Sequence, residues 1–239
     1  MKAILTFHDI SDSGYVLSYP VKMFEQLVLG LLNANIDICS LDDLWASKSN
    51  HAVALTFDDG MQSVHTHAMP VLRDLQVPSH LYLMTSRVGM DNRWPGLPAH
   101  APVLSMMNWQ QLEECMAADI NVENHTYSHP DLRKLSASEV VAECDQADYL
   151  IESRLGKKPT HFAYPYGYYS NDVKHYIGQR FSTAVTTELR FLDSEVDMAT
   201  VPRLDSYYLQ HPNLFTNLFS ITNRSYLLAR YLMRKIRWQ

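Results

Sequence analysis

Two short segments carry residue types that could do chemistry. The first is Thr56-Phe57-Asp58-Asp59-Gly60, which ends the apolar run Val53-Ala54-Leu55. Two adjacent carboxylates repel each other unless something neutralises them, and a metal ion is the usual answer. A strand's side chains alternate between faces, but a twist and a glycine turn at its end can bring both acids to one cavity. The same letters also make an ordinary solvated turn. The second segment is His125-Thr126-Tyr127-Ser128-His129, with two imidazoles four residues apart. On one helical turn they would face the same way and grip one ion. One aspartate and two histidines, with a coordination position left open, describe a hydrolytic site for zinc or another divalent ion that accepts nitrogen and oxygen ligands. The other aspartate is then free to take a proton from water.

The elements that must position these groups read as alternating strands and helices. Strands are expected at 2–7, 53–57, 79–84, 120–122, 161–164 and 181–185, with short ones at 36–40 and 200–203. Helices are expected at 20–34, 65–75, 108–117, 136–155 and 171–178, and over most of 213–238. Asn108 is a plausible N-cap, Ser136 to Glu139 has a capping-box pattern, and Gly156 is a natural stop. This alternation predicts an α/β fold with a mainly parallel sheet, open or closed. Functional loops in such folds follow the C-terminal ends of the strands. His8-Asp9, Asp58-Asp59, His125 to His129 and Tyr164 to Gly167 all fall at such ends. Scattered polar turns would fall at both ends. Residues 85–106 form a long loop rich in proline and glycine that holds Arg93-Trp94, and long loops in compact folds are often functional.

Thr56-Phe57-Asp58-Asp59-Gly60 and His125-Thr126-Tyr127-Ser128-His129-Pro130 resemble the first two motifs of the polysaccharide deacetylases, the NodB-homology carbohydrate esterases. Phe162-Ala163-Tyr164-Pro165-Tyr166-Gly167 resembles a variant of their third, and the likeness spans roughly Ile4 to Arg203. The resemblance implies a distorted (β/α) barrel, seven-stranded, that removes acetyl groups from sugars with a divalent metal, commonly zinc. It assigns Asp58 as general base and Asp59, His125 and His129 as metal ligands. The Tyr166 backbone N–H would donate to the oxyanion, in a loop shaped by Pro165 and Gly167. The products would be acetate and a free amine on the sugar. Ala163 departs from the pattern, because the third motif usually carries an arginine that orients the aspartate. Arg203, after Val201-Pro202, is a candidate to supply that charge. The family's general acid is a late histidine in a Leu-x-His motif; Leu209-Gln210-His211 matches in letters. His8, at the end of the first strand, is the competitor and is preferred. Trp94 is the favoured sugar-stacking residue. Trp109 is expected to pack on the barrel.

Composition narrows the partners. The 239 residues include 46% hydrophobic and 19% charged, with a formal net charge of −6. That fits one globular catalytic unit over 1–239 and gives no footprint for nucleic acid. Cys39, Cys115 and Cys144 are widely spaced and form neither a disulfide framework nor a thiolate metal site. The start turns polar too soon for a signal peptide, so the expected location is the cytoplasm. Leu227, Leu228, Tyr231, Leu232 and Ile236 share one helical face in a basic amphipathic helix at about 224–238, with Arg230, Arg234, Lys235 and Arg237 around it and Trp238 at its end. Such a helix docks on the barrel or lies on an anionic membrane. In the second case the substrate is expected to be a lipid-linked saccharide. The leading expectation is metal-dependent N-deacetylation of a glycan or glycan precursor. Two others stay open: an amidohydrolase acting on a non-sugar amide, and a non-catalytic carbohydrate-binding barrel.

Overall fold

Strand parity sets the architecture. In the run Ala52 to Asp59, every residue is buried. Val53, Leu55 and Phe57 join the larger apolar cluster, which lies under the helices. Ala52 and Ala54 join a different, smaller one inside the curl of the sheet. The first strand divides the same way, with Ala3, Leu5 and Phe7 outward and Ile4 inward. A strand buried on both faces is what a parallel sheet covered by helices requires.

The computed structural model describes residues 1–98 and 100–237. Seven strands, numbered here in chain order, make up the curled sheet: β1 (Lys2–Phe7), β2 (Ala52–Asp59), β3 (Ser79–Leu83), β4 (Ile120–Asn124), β5 (His161–Ala163), β6 (Thr183–Val185) and β7 (Leu204–Asp205). Their spatial order is β7-β1-β2-β3-β4-β5-β6, and every pairing is parallel. A short extra strand, Asp37–Ile38, pairs with Ala52 and Val53 at the start of β2. The segment from Val201 to Asp205 closes the curl. Val201 donates its N–H to Ala184 O and accepts from Thr186 N–H, both at 2.8 Å, while Leu204 pairs with Leu5 on β1. The result is the distorted (β/α) barrel expected from the sequence. The last strand begins at Leu204, just past the expected 200–203, and Pro202 within that range lacks an N–H for the ladder.

The longer helices pack outside: α1 (Val21–Asn33), α2 (Trp109–Ala117), α3 (Ala137–Leu155), α4 (Asn171–Arg180) and α5 (Ile221–Arg237). Asn108 and Ser136 each close a capping box, with Gln111 and Glu139. Gly156 ends α3 at φ 72°, a left-handed position suited to glycine. Trp109 packs at the edge of the outer core, under Arg154. Residues 212–237 are helical in two pieces, Pro212–Thr216 and α5; Trp238 lies outside the described residues. Among the described residues, no helix is long and apolar enough to cross a membrane.

Toward the N-terminal end, the barrel interior holds a polar network. His80 Nε2 accepts from the Leu41 N–H at 2.9 Å, so Nδ1 carries the proton and donates to Glu123 Oε1 at 3.3 Å. Glu123 Oε2 accepts from the N–H groups of Thr160 and His161 at 2.8 and 2.9 Å. Burial pushes the His161 imidazole below its ordinary pKa, outweighing the charge of Glu123. Burial would raise Glu123, but its bond to His80 and the charges of His161 and His80 hold it down. Both groups are therefore depressed in the folded state. Their stabilisation is present at neutral pH and is lost as the pH falls, first below about 6.5 for His161 and then below about 4.3 for Glu123. Unfolding free energy measured by urea at a series of pH values should decline from about pH 6.5 downward. His161→Gln should reduce the upper part of that decline, and an unchanged profile would contradict the assignment.

Candidate metal centre

The C-terminal ends of β2, β4 and β5, with the segment before β7, build one cavity. Asp58 sits at an inward-facing position of β2. Asp59 follows at φ 70°, and the Gly60 N–H bonds back to Asp58 O at 2.9 Å. This three-residue turn swings the second carboxylate into the cavity that the first already faces. Gly60 has φ 98°, and a Cβ there would lie 2.6 Å from Leu83 Cδ1. Only glycine fits behind the two acids.

His125 and His129 are not on a helical turn, as their spacing suggests. They lie in the loop after β4, bent by left-handed residues at Thr126 (φ 68°) and His129 (φ 60°). Thr126 Oγ1 accepts from the His129 N–H at 3.0 Å, and the Thr126 N–H donates to Asn124 Oδ1 at 2.7 Å. Glu143 on α3 grips the loop through the Ser128 N–H and Oγ at 2.8 and 2.6 Å. Its own carbonyl takes the Tyr127 N–H at 3.1 Å. Sequence reasoning missed Glu143 and Asn124, because nothing in a helix-face glutamate or a strand-end asparagine marks what it will hold.

Asp59, His125 and His129 are all buried and offer ligand atoms within 4.8 Å of one another. His125 Nε2 and His129 Nε2 lie 3.4 and 3.5 Å from Asp59 Oδ1. Donors held about 2.0–2.1 Å from a tetrahedral ion are about 3.4 Å apart, so the spacing fits a shared divalent ion. The His125 Nδ1–H donates to Ala163 O at 2.7 Å, which leaves Nε2 to face the cavity. Burial would raise Asp59, but its contact with His125 and the charges of His129, His8 and His125 hold it well below the ordinary range. His125 is pushed down by burial and, more strongly, up by Asp59 and Asp58. The cavity therefore favours a cation at that nitrogen. Burial and the His125 charge lower His129 to about 3, so it stays neutral, as a ligand must. These three residues fit a metal. The interior trio His80, Glu123 and His161 is also close enough, but the Leu41 N–H occupies the one lone pair of His80, so this trio is a hydrogen-bonded network.

Asp58 is held by Arg203. Nη1 and Nη2 donate to its two oxygens, each at 2.7 Å, and the guanidinium also donates to Thr186 O at 3.1 Å and Thr56 Oγ1 at 3.2 Å. Arg203 is 1% exposed. Burial alone would raise Asp58, but the Arg203 guanidinium overcomes it and holds the carboxyl below its usual value. His8 continues the inward parity of β1, and its Nε2 stands 3.8 Å from Asp58 Oδ2. Asp9 does not serve His8. It accepts from the hydroxyls of Ser11, Ser18 and Ser63 and so pins the loop after β1.

The structure corrects two expectations. His211 does not join the cavity. It is exposed, and its Nδ1 accepts from the Asn213 N–H at 3.3 Å as the N-cap of Pro212–Thr216. The chain has already left β7 at Asp205, so the Leu-x-His letters fall on a helix start. Trp94 is at the site but is not a sugar platform. It is 6% exposed, clusters with Met61, Met84 and Met106, and its ring lies 5.1 Å from that of His129. Tyr166 also packs against His129, with ring centroids 4.5 Å apart. Tyr166 itself sits at φ 60° in the turn after β5. The turn's bonds run from the Gly167 N–H to Tyr164 O and from the Tyr168 N–H to Pro165 O, and neither uses the Tyr166 N–H.

Residues 46–180 match the family model described as polysaccharide deacetylase. A Staphylococcus epidermidis protein named poly-beta-1,6-N-acetyl-D-glucosamine N-deacetylase is 25% identical over 163 residues, covering 64% of this chain and 54% of that protein. Its namesake in Staphylococcus aureus (strain MRSA252) is 23% identical over 215 residues, covering 83% of this chain and 69% of that protein. The chain thus spans between about half and two-thirds of the length of curated relatives it matches. Among solved structures, IcaB from Ammonifex degensii superposes with a TM-score of 0.74 at 23% identity, covering 90% of this chain and 97% of that one. The Streptococcus pyogenes deacetylase PplD, in complex with acetate, gives 0.73 at 18% identity, covering 85% and 91%. At these identities the superpositions bear on fold alone.

Two outcomes follow from this geometry. Arg203→Gln should leave Asp58 buried without its partner and cost about 3–5 kcal/mol in urea unfolding. Arg203→Lys, which keeps the charge but not the two-pronged bond, should cost less. Chelation should lower the melting temperature, and added zinc should restore it in the wild type but not in His129→Ala, because an ion bound only by the folded chain stabilises it. A melting temperature indifferent to chelator and zinc would remove the metal reading.

Proposed function

The chain belongs to the polysaccharide deacetylase family, and from that premise we propose that it is a divalent-metal hydrolase that removes N-acetyl groups from an amino sugar. The observation that carries this reading is the pairing of two unlike carboxylates. Asp59 faces two imidazoles and fits an ion, while Asp58, next in the chain, is locked by Arg203 with one edge near His8. An ion-binding or carbohydrate-binding barrel has no need of the second arrangement. The names of the Staphylococcus relatives support a polymer or oligomer of N-acetylglucosamine as the substrate class. The proposed ion is zinc, in keeping with one oxygen and two nitrogen donors.

A divalent ion in this centre supplies Lewis acidity, which polarises the amide carbonyl and acidifies water. Asp58 takes the proton of the attacking water as a C–O bond forms at the carbonyl carbon. Its depressed basicity suits an acidified water, and Arg203 fixes the direction of its lone pairs. The Tyr166 N–H, not used by the bonds that make its turn, is the proposed donor to the oxyanion. His8, beside Asp58, is the proposed donor of the proton that the departing nitrogen takes as the C–N bond breaks, leaving acetate and an amine. Trp94 and Tyr166 both pack against the His129 ring, so Trp94 acts by fixing a ligand.

Acetate release from N-acetylglucosamine oligomers by zinc-loaded protein tests the reading. Asp58→Asn should lower kcat about a hundredfold or more while zinc still raises the melting temperature. His8→Gln should lower kcat while zinc still raises the melting temperature. An Asp58→Asn protein as active as wild type would overturn the proposed base.

A further inference from the structure

The C-terminal helix α5 presents two apolar faces, and the barrel covers one of them. Leu227 is buried, and Tyr231 donates its hydroxyl to Glu188 Oε1 at 3.0 Å. Asn223 Nδ2 donates to the carbonyls of Asn213, Leu214 and Asn217, which fixes the rotation of the helix about its axis. The sequence reading placed Leu227, Leu228, Tyr231, Leu232 and Ile236 on one face; the structure divides them. Ile221, Leu228, Leu232, Met233 and Ile236 turn outward at 79%, 57%, 51%, 46% and 77% exposure. Their spacing puts them on one stripe of a helix about 25 Å long. Scattered exposed apolar side chains need no explanation, but a continuous stripe on an otherwise anchored helix does.

The charges beside the stripe identify what it meets. The helix Ile221–Arg237 contains no Asp or Glu, and its sequence carries Arg224, Arg230, Arg234, Lys235 and Arg237. The chain as a whole has a formal charge of −6, so the remainder carries −11, which is −6 less the helix's +5. Arg224 and Lys235 flank the stripe on one side and Arg230 on the other, all exposed. Two copies pairing through this face would bring cations against cations with no carboxylate in either helix to answer them. A surface of anionic headgroups over acyl chains satisfies both parts, taking the apolar stripe while the long basic side chains reach the phosphates.

We propose that α5 docks this protein on an anionic lipid bilayer through the outward stripe Ile221, Leu228, Leu232, Met233 and Ile236. The helix begins beside the N-terminal end of the barrel, where it lines a cavity of about 410 Å³ with Met1 and Phe191. It rises to the opposite rim, where Arg234 lies 3.9 Å from Asp205, two residues past Arg203. This surface is independent of the reaction assigned above.

The test is flotation of the full chain with phosphatidylcholine vesicles, with and without phosphatidylglycerol. The protein should partition onto the anionic vesicles and be released by salt. Leu228→Ser/Leu232→Ser/Ile236→Ser should weaken partition about tenfold or more, and Arg224→Gln/Lys235→Gln should weaken it in low salt. These side chains face solvent, so both variants should melt with the wild type. Failure to float with anionic vesicles would overturn the proposal. So would equal flotation of the triple-serine variant, or a wild-type dimer that this variant dissolves without any vesicle binding. None of these readouts uses catalysis, so they stand apart from the fate of the deacetylase reading.

Discussion

The site depends on one buried ion pair. Two aspartates adjacent in the chain and facing one cavity cannot both be ionised without two sources of positive charge. Arg203 is one of them. It neutralises Asp58 through two parallel hydrogen bonds and spends further donors on Thr186 O and Thr56 Oγ1. Taking a guanidinium and a carboxylate out of water is costly, and that cost is offset only when the geometry is good and the remaining donors are used. Both conditions hold. The barrel makes room by keeping Ala52, Ala54 and Ala163 inside, and Tyr82 lies under the guanidinium at 5.6 Å. The second positive charge is left to the Asp59, His125 and His129 centre. The division of labour between the acids follows from which of them the arginine reaches.

Backbone strain is concentrated in the same place. Among the described residues, seven non-glycine residues have positive φ, and four of them are Asp59, Thr126, His129 and Tyr166. Such conformations cost of order 1 kcal/mol each and persist only where the surroundings hold them. Here the holders are visible. Gly60 closes the turn around Asp59, and Glu143 and Asn124 bond the loop that carries Thr126 and His129. Gly167, with Thr187 Oγ1 2.3 Å from where its Cβ would be, sets the turn at Tyr166. A centre assembled from three strand ends needs its side chains aimed by the backbone, because no regular element places them together.

What the sequence made legible was local. The two acids, the two histidines and the strand–helix alternation are written in short windows, and a parallel sheet puts strand ends on one rim. The bond between Arg203 and Asp58 joins residues 145 apart, so only the placing of Arg203 near a strand end could be read. The spacing of His125 and His129 fits a helical turn as well as a loop with two left-handed residues, and the sequence does not separate them. An aromatic residue in a proline-rich loop does not show in sequence which of its faces the loop covers, and for Trp94 three methionines and His129 cover it. His211 shares letters with a motif but falls after the strand has ended. Hydrophobicity alone groups the apolar residues of α5 on one face, and burial by the barrel divides them.

The arginine itself shows how such a site can vary without losing its electrostatics. In the pattern that the third motif resembles, the cation comes from the position of Ala163, at the end of β5. Here it comes from Arg203, across the closure of the barrel. Val201 bonds to Ala184 and Thr186 beside β6, so the segment carrying Arg203 occupies the ring position next to that strand. Ala163 belongs to the same interior cluster as Tyr82, which the Arg203 guanidinium overlies. An arginine at both positions would crowd two cations against one carboxylate in a water-poor interior. The two placements are therefore alternatives, and a small residue at 163 is what the second one requires. The missing motif arginine at Ala163 is thus no argument for a barrel without catalysis, because Arg203 bonds Asp58 in its place.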